Sequence, residues 1–159
     1  MKTLKLFSVV YLFALFLITT NSYSQKLINA SEVTSSFLKE TFDNAFIEVQ
    51  EVKDTYIRVK DGYSIYLDID ANKRYITLSG VYNLVEGVSK KDALELVNKL
   101  NTEVALIKVY YSESTNSITY YYYFWTEGGF TQKSLIGALR LYKTALNLCL
   151  DKDTAKLIK

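Results

Sequence analysis

Few residues in this 159-residue chain could do chemistry, and their types narrow the field before any fold is considered. Histidine and proline are absent, and cysteine occurs once, as Cys149. A Ser-His-Asp triad, a Cys-His pair, a Cys/His zinc site and an intrachain disulfide all need residues the chain does not have. Carboxylates remain. Asp68-Ile69-Asp70-Ala71-Asn72 matches the opening of a D-x-D-x-N calcium loop. The match then fails, because Lys73 stands where the sharp-turn glycine belongs and Ser79 where the bidentate glutamate belongs. A polar hairpin turn with a left-handed Asn72 accounts for the run. Asp68, Asp70, Glu113 and Glu127 are the acids open to a hydrolase, but no spacing sets two of them across a cleft. The sequence predicts no enzyme, no catalytic residue, no metal ligand and no cofactor.

Two further runs stand out. Gly128-Gly129-Phe130-Thr131, with Lys133 just after it, has backbone N–H groups that could hold an anion at a helix start. It lacks the spacing of a phosphate loop, and a strand-to-helix turn capped by Thr131 explains it. The second run is Tyr120-Tyr121-Tyr122-Tyr123-Phe124-Trp125. On a strand, Tyr120, Tyr122 and Phe124 take one side and Tyr121, Tyr123 and Trp125 the other. One set belongs in a core. The other, joined by Tyr110 or Tyr111 from a neighbouring strand, would make an aromatic platform suited to a protein partner. Tyr111, Tyr121, Tyr123 and Trp125 are therefore the candidate protein-binding residues.

The elements that must position these residues follow from periodicity. A helix is predicted from about Glu32 to Phe42, with Ser31 as its cap and Val33, Phe37, Leu38 and Phe42 as its apolar stripe. Thr55–Lys60, Asp61-Gly62 and Tyr63–Asp70 read as a hairpin with a two-residue turn. Lys73–Tyr82 reads as the next strand. Ser89 caps a helix to Asn101, with Ala93, Leu96, Val97 and Leu100 at helical spacing. Val104–Tyr111 and Ile118–Thr126 form a second hairpin around a polar turn, Ser112–Ser117. Thr131 caps a last helix to about Leu150, with a frayed Asp151-Lys152-Asp153 end. Helices gathered on an antiparallel sheet make a two-layer α+β domain with the helices on one face.

Residues 1–24 read differently. Lys2 and Lys5 precede an apolar run of 13 residues, Leu6–Ile18, broken only by Ser8. Ser22 and Ser24 place small side chains before a cut at Gln25. Thirteen residues fall short of the roughly 20 that cross a bilayer. The reading is a cleaved export signal, a periplasmic or secreted chain, and one domain over residues 25–159 with a core over about 32–150. Past the signal, 17 basic residues face 17 acidic ones, since both excess lysines lie within it. That balance excludes a nucleic-acid partner, and no membrane insertion is expected after cleavage.

The order of elements resembles that of the YbjN-like family. The resemblance rests on a strand pair containing Ile65 to Leu78, and on Val88-Ser89-Lys90-Lys91-Asp92-Ala93-Leu94-Glu95-Leu96-Val97-Asn98-Lys99-Leu100-Asn101, a helix ending in an "LVNxLN" run. The hairpin Ala105–Trp125 follows, then Gly128-Gly129-Phe130-Thr131 and a helix carrying Leu135, Leu139 and Tyr142. The resemblance implies a fold like that of type III secretion chaperones, a role described as regulation of sensory transduction, protein binding and a possible homodimer. It brings no catalytic residues. The resulting expectation is an exported, non-enzymatic protein-binding domain. The alternative is a periplasmic small-molecule or lipid carrier with an aromatic-lined pocket between sheet and helices.

Overall fold

The computed structural model describes residues 26–159. The export signal expected over residues 1–24 lies outside them, as does its cut. Among the described residues no helix is long and apolar enough to cross a membrane.

Six strands form one antiparallel sheet: β1 (Glu48–Val52), β2 (Tyr56–Asp61), β3 (Tyr63–Ile69), β4 (Tyr75–Asn83), β5 (Lys108–Ser112) and β6 (Ser117–Trp125). The spatial order is β1-β2-β3-β4-β6-β5, so the second hairpin enters with β6 against β4 and leaves β5 at the edge. Three helices, α1 (Ser35–Asn44), α2 (Lys90–Glu103) and α3 (Gln132–Lys152), complete the domain. Helix α1 packs on β1 and β2, α2 on β5 and α3 on β6.

Alternation decides which face the helices cover. Register aligns Ile57 with Leu67, Leu67 with Leu78 and Leu78 with Tyr122. A second row runs from Gly80 through Tyr120 to Val109. These residues join Leu38, Phe42, Leu96, Leu100, Leu135, Leu139, Tyr142 and Leu146 of the helices in one core. Gly80 makes room there: a Cβ at this position would lie 3.0 Å from the Tyr142 Oη. Tyr142 donates its O–H to the carbonyl of Tyr120 at 3.1 Å.

Several boundaries differ from the sequence reading, each for a local reason. Helix α1 starts later because Asn29–Glu32 closes its own 3-10 turn, with the Asn29 N–H donating to Glu32 Oε2 at 2.9 Å. Val33 is then extended and buried, and Thr34 replaces Ser31 as the cap. The first hairpin turns on Gly62, which is left-handed while Asp61 is not, with Asp61 already paired to Tyr63. At the next turn Lys73, not Asn72, takes the positive φ of 57°. Strand β5 starts at Lys108 rather than Val104, because α2 continues to Glu103 and Leu106 turns the chain with a φ of 66°. The expected fraying after Leu150 is absent. The buried Asp153 carboxylate accepts from the Leu157 and Ile158 N–H groups at 3.0 and 2.9 Å and docks the tail beside Leu84.

Both sheet edges carry features that discourage pairing. On β5 the Asn101 side chain brackets Val109, accepting from its N–H at 2.8 Å and donating to its C=O at 3.0 Å. The amide thus occupies the backbone groups that another strand would use. On β1 the register slips between Val49 and Glu51, and Glu48 and Glu51 put charge along the strand. A bulge and charge both discourage pairing.

Just past the end of helix α1 and its cap Ala45 stands Phe46, which is 98% exposed and left-handed at a φ of 57°. The Ile47 N–H reaches back to the Phe42 carbonyl at 2.9 Å, the closing bond of a glycine-type helix end. The ring packs on nothing that would offset the left-handed penalty. Phe46→Gly is expected to stabilise the fold by about 1 kcal/mol, read as a higher urea midpoint with an unchanged slope.

Candidate protein-binding surface

Among the described residues nothing covers the face of the sheet opposite the helices, and it carries the second set of strand aromatics. On β6, Tyr120 is fully buried and Tyr122 and Phe124 are partly buried on the helix side. Tyr121, Tyr123 and Trp125 point the other way, with Tyr123 42% and Trp125 61% exposed. Neighbouring strands extend the set. Tyr75 lies opposite Trp125, Tyr66 is paired across β2 to Arg58, and Tyr56 is paired to Asp68.

The rings support one another. Tyr75 meets Tyr123 edge-on at 5.4 Å between centroids and Trp125 at 5.5 Å. Tyr121 and Tyr123 stack at 6.5 Å, and Tyr56 and Tyr66 tilt together at 5.8 Å. Such pairs add about 0.5–1.5 kcal/mol beyond their burial and hold the rings in place. Two guanidinium groups sit on this layer: Arg58 over Tyr66 at 5.8 Å and Arg74 over Tyr75 at 5.7 Å.

Tyr111 is a correction. It faces the core side, in one row with Ile118 and Tyr82. Tyr110 occupies the open face instead and is 55% exposed. Alternation from Val109, an apolar residue of the same short strand, would have separated the two tyrosines. Sequence reasoning also missed Tyr56, Tyr66 and Tyr75, because they become neighbours of the β6 set only through register across four strands.

The acids of the supposed calcium loop go separate ways. Asp68 stays on β3 on the open face. Asp70 turns to Arg74, whose Nε lies 3.0 Å from Asp70 Oδ2, and that hydrogen bond holds the Asp70 carboxyl below its usual range. Burial pushes the Asp68 carboxyl up. No group of three metal-ligating side chains occurs among the described residues. At the other run, Gly128 and Gly129 are left-handed and Thr131 caps α3, accepting from the Ser134 N–H at 3.1 Å. A Cβ on Gly129 would strike the Leu27 side chain at 2.9 Å, so the N-terminal segment fills this corner.

A carrier needs a lined pocket. Surface depressions of about 290, 300 and 210 Å³ have no aromatic residue in their linings. The sheet-helix interior holds Tyr120, Tyr142, Phe42 and Leu78 at full burial. The aromatic residues therefore form an open layer, and the pocket that the carrier alternative requires is not seen among the described residues.

Comparison with known proteins agrees with this architecture. The family model described as "Putative bacterial sensory transduction regulator", YbjN, matches residues 38–152. The chain belongs to the YbjN family. The fold is similar to the crystal structure of YbjN from E. coli, described as a "putative transcription regulator". The TM-score is 0.66 at 10% identity, over 78% of this chain and 94% of that one. No curated protein matches. The YbjN-family α+β architecture is thus shared by chains whose sequences have diverged widely, and identity this low speaks for the fold alone.

Proposed function

We propose that this YbjN-family chain is an exported, non-enzymatic regulatory domain that binds another protein or peptide on the open face of its sheet. The observation that carries the reading is the helix-free aromatic layer of Tyr110, Tyr121, Tyr123 and Trp125. Rigid, amphipathic rings of this kind are enriched in protein interfaces and dominate their energies. The family's description as sensory regulators favours an interaction role over turnover. The partner is a protein or peptide, a second copy of the chain included, rather than nucleic acid, given 17 charges of each sign past residue 24. Lys2 and Lys5 before the apolar run Leu6–Ile18, with Ser22 and Ser24 ahead of Gln25, support export to the periplasm or beyond with cleavage between Ser24 and Gln25.

Native mass spectrometry of the protein recovered from the envelope fraction tests both parts. The mature mass reports the cut, and a stoichiometric protein companion reports the partner. Replacing Tyr123 and Trp125 together by alanine is expected to weaken that complex at least about a hundredfold, since two anchors of about 2 kcal/mol each are lost. A complex that survives this change in a folded protein removes the open face as the binding surface.

A further inference from the structure

Asp68 is a partly buried acid on the open face, and among the described residues the fold gives it no ion pair. It stands on β3 opposite Tyr56 on β2 and Thr77 on β4, with Tyr66 two positions before it on the same side. Asp68 is partly buried there. Among the described residues it takes neither an ion pair nor a hydrogen bond, while the acids around it are matched. Asp70 holds Arg74 at 3.0 Å, and Glu51 holds Lys53 at 3.5 Å and Arg58 at 3.6 Å. Arg58, on the adjacent strand, turns away from Asp68 toward Glu51 and lies over Tyr66.

A partly desolvated carboxylate without a partner destabilises a fold. Asparagine has nearly the same shape and would relieve that penalty, so a carboxylate here calls for a reason outside the free domain. The rings around it supply one. Aromatic faces carry negative potential and attract cations, and the chain already sets two of its own guanidinium groups over rings of this layer.

We propose that Asp68, with Tyr56 and Tyr66 beside it, is a receptor for a cationic side chain, and that the partner presents a basic peptide segment whose arginine or lysine seats there. The inference rests on the open face being the binding surface. An incoming guanidinium would gain two charge-assisted hydrogen bonds and ring contact, and would supply the charge that Asp68 lacks.

Trp125 is the chain's single tryptophan and lies on this face, so its emission reports occupancy directly. The probe is a blocked hexapeptide alternating glycine and arginine, set against its glutamate counterpart and against phosphatidylcholine vesicles. The arginine peptide is expected to shift the emission saturably and the glutamate peptide to leave it unchanged. Asp68→Asn is expected to weaken arginine-peptide binding at least tenfold while raising the thermal midpoint. Unchanged peptide affinity in Asp68→Asn overturns the receptor, and a lowered midpoint does so too, since it would give Asp68 a structural duty. A response to vesicles alone overturns the peptide as occupant, and no response to any probe overturns the receptor itself. Tyr123→Ala separates the two levels. If it loses the peptide while Asp68→Asn keeps it, the face binds without this receptor. If both variants keep it, the open face fails as well.

Discussion

Replacing Tyr142 by alanine is expected to lower the unfolding free energy by about 4 kcal/mol, the range for emptying a large buried aromatic site. The ring is fully buried, and its hydroxyl spans from α3 to the Tyr120 carbonyl at 3.1 Å, above the space left by Gly80. The cavity has little chance to collapse, because rigid strands form its floor. Two smaller changes at the same place are expected to have opposite signs. Tyr142→Phe deletes a made hydrogen bond and should cost about 1 kcal/mol. Tyr120→Phe deletes a hydroxyl that is buried without a hydrogen-bond partner among the described residues. That change should stabilise the fold by about 1 kcal/mol. Urea unfolding of the three variants checks the set, and a destabilised Tyr120→Phe would show that its hydroxyl is matched after all.

The second large effect is alkaline unfolding. Burial pushes the Cys149 thiol up to about 11 and Tyr82 up to about 12, and it raises Tyr120 and Tyr142 as well. In the unfolded chain these groups ionise near their ordinary values, 9.0 for the thiol and 10.0 for the phenols. Between the unfolded and folded values the native state holds protons that the unfolded state has released. Stability is therefore intact below pH 9 and falls as pH rises, by about 1.4 kcal/mol per group per pH unit. With Tyr120, Tyr142 and Cys149 all fully buried, the loss reaches about 7 kcal/mol near pH 11.5, comparable with the whole stability of a domain this size. Circular dichroism and tyrosinate absorbance should then move together in one transition between about pH 11 and 12. Tyr120→Phe should shift that transition upward. Smooth titration of every tyrosine near pH 10 with the fold intact would contradict the expectation.

What was legible in the sequence was what local periodicity encodes. The alternation in Tyr120–Trp125 split the rings into two sets, and the structure puts the Tyr120 set toward the core and the Tyr121 set on the open face. The Ser89 and Thr131 caps were readable because each accepts an N–H three residues on, at Asp92 and Ser134. Strand β1 was not readable as a defined element. Its Glu-Val-Gln-Glu-Val sequence has two apolar residues, and the bulge at Gln50 breaks their phase. Asn101 was visible only as the end of a helix, since its amide acts on Val109, eight residues away across a turn. The placing of Tyr56 and Tyr66 beside Asp68, and of Tyr75 beside Trp125, belongs to register, which no single strand carries. Leu106 and Phe46 show the same limit at helix ends. Nothing in either side chain signals a left-handed backbone, and the surrounding packing imposes it.

The Asn101 bracket on β5 and the broken register on β1 bear on stoichiometry. Open-ended growth requires each molecule to offer two free edges, so that every addition regenerates the site just used. Here one edge is blocked at Val109 by the chain's own amide and the other is interrupted. Association through the aromatic layer, as proposed, would use a single surface per molecule and be consumed when that surface is covered. If the aromatic layer is the binding surface, assembly through it would stop at one partner per domain or at two copies face to face.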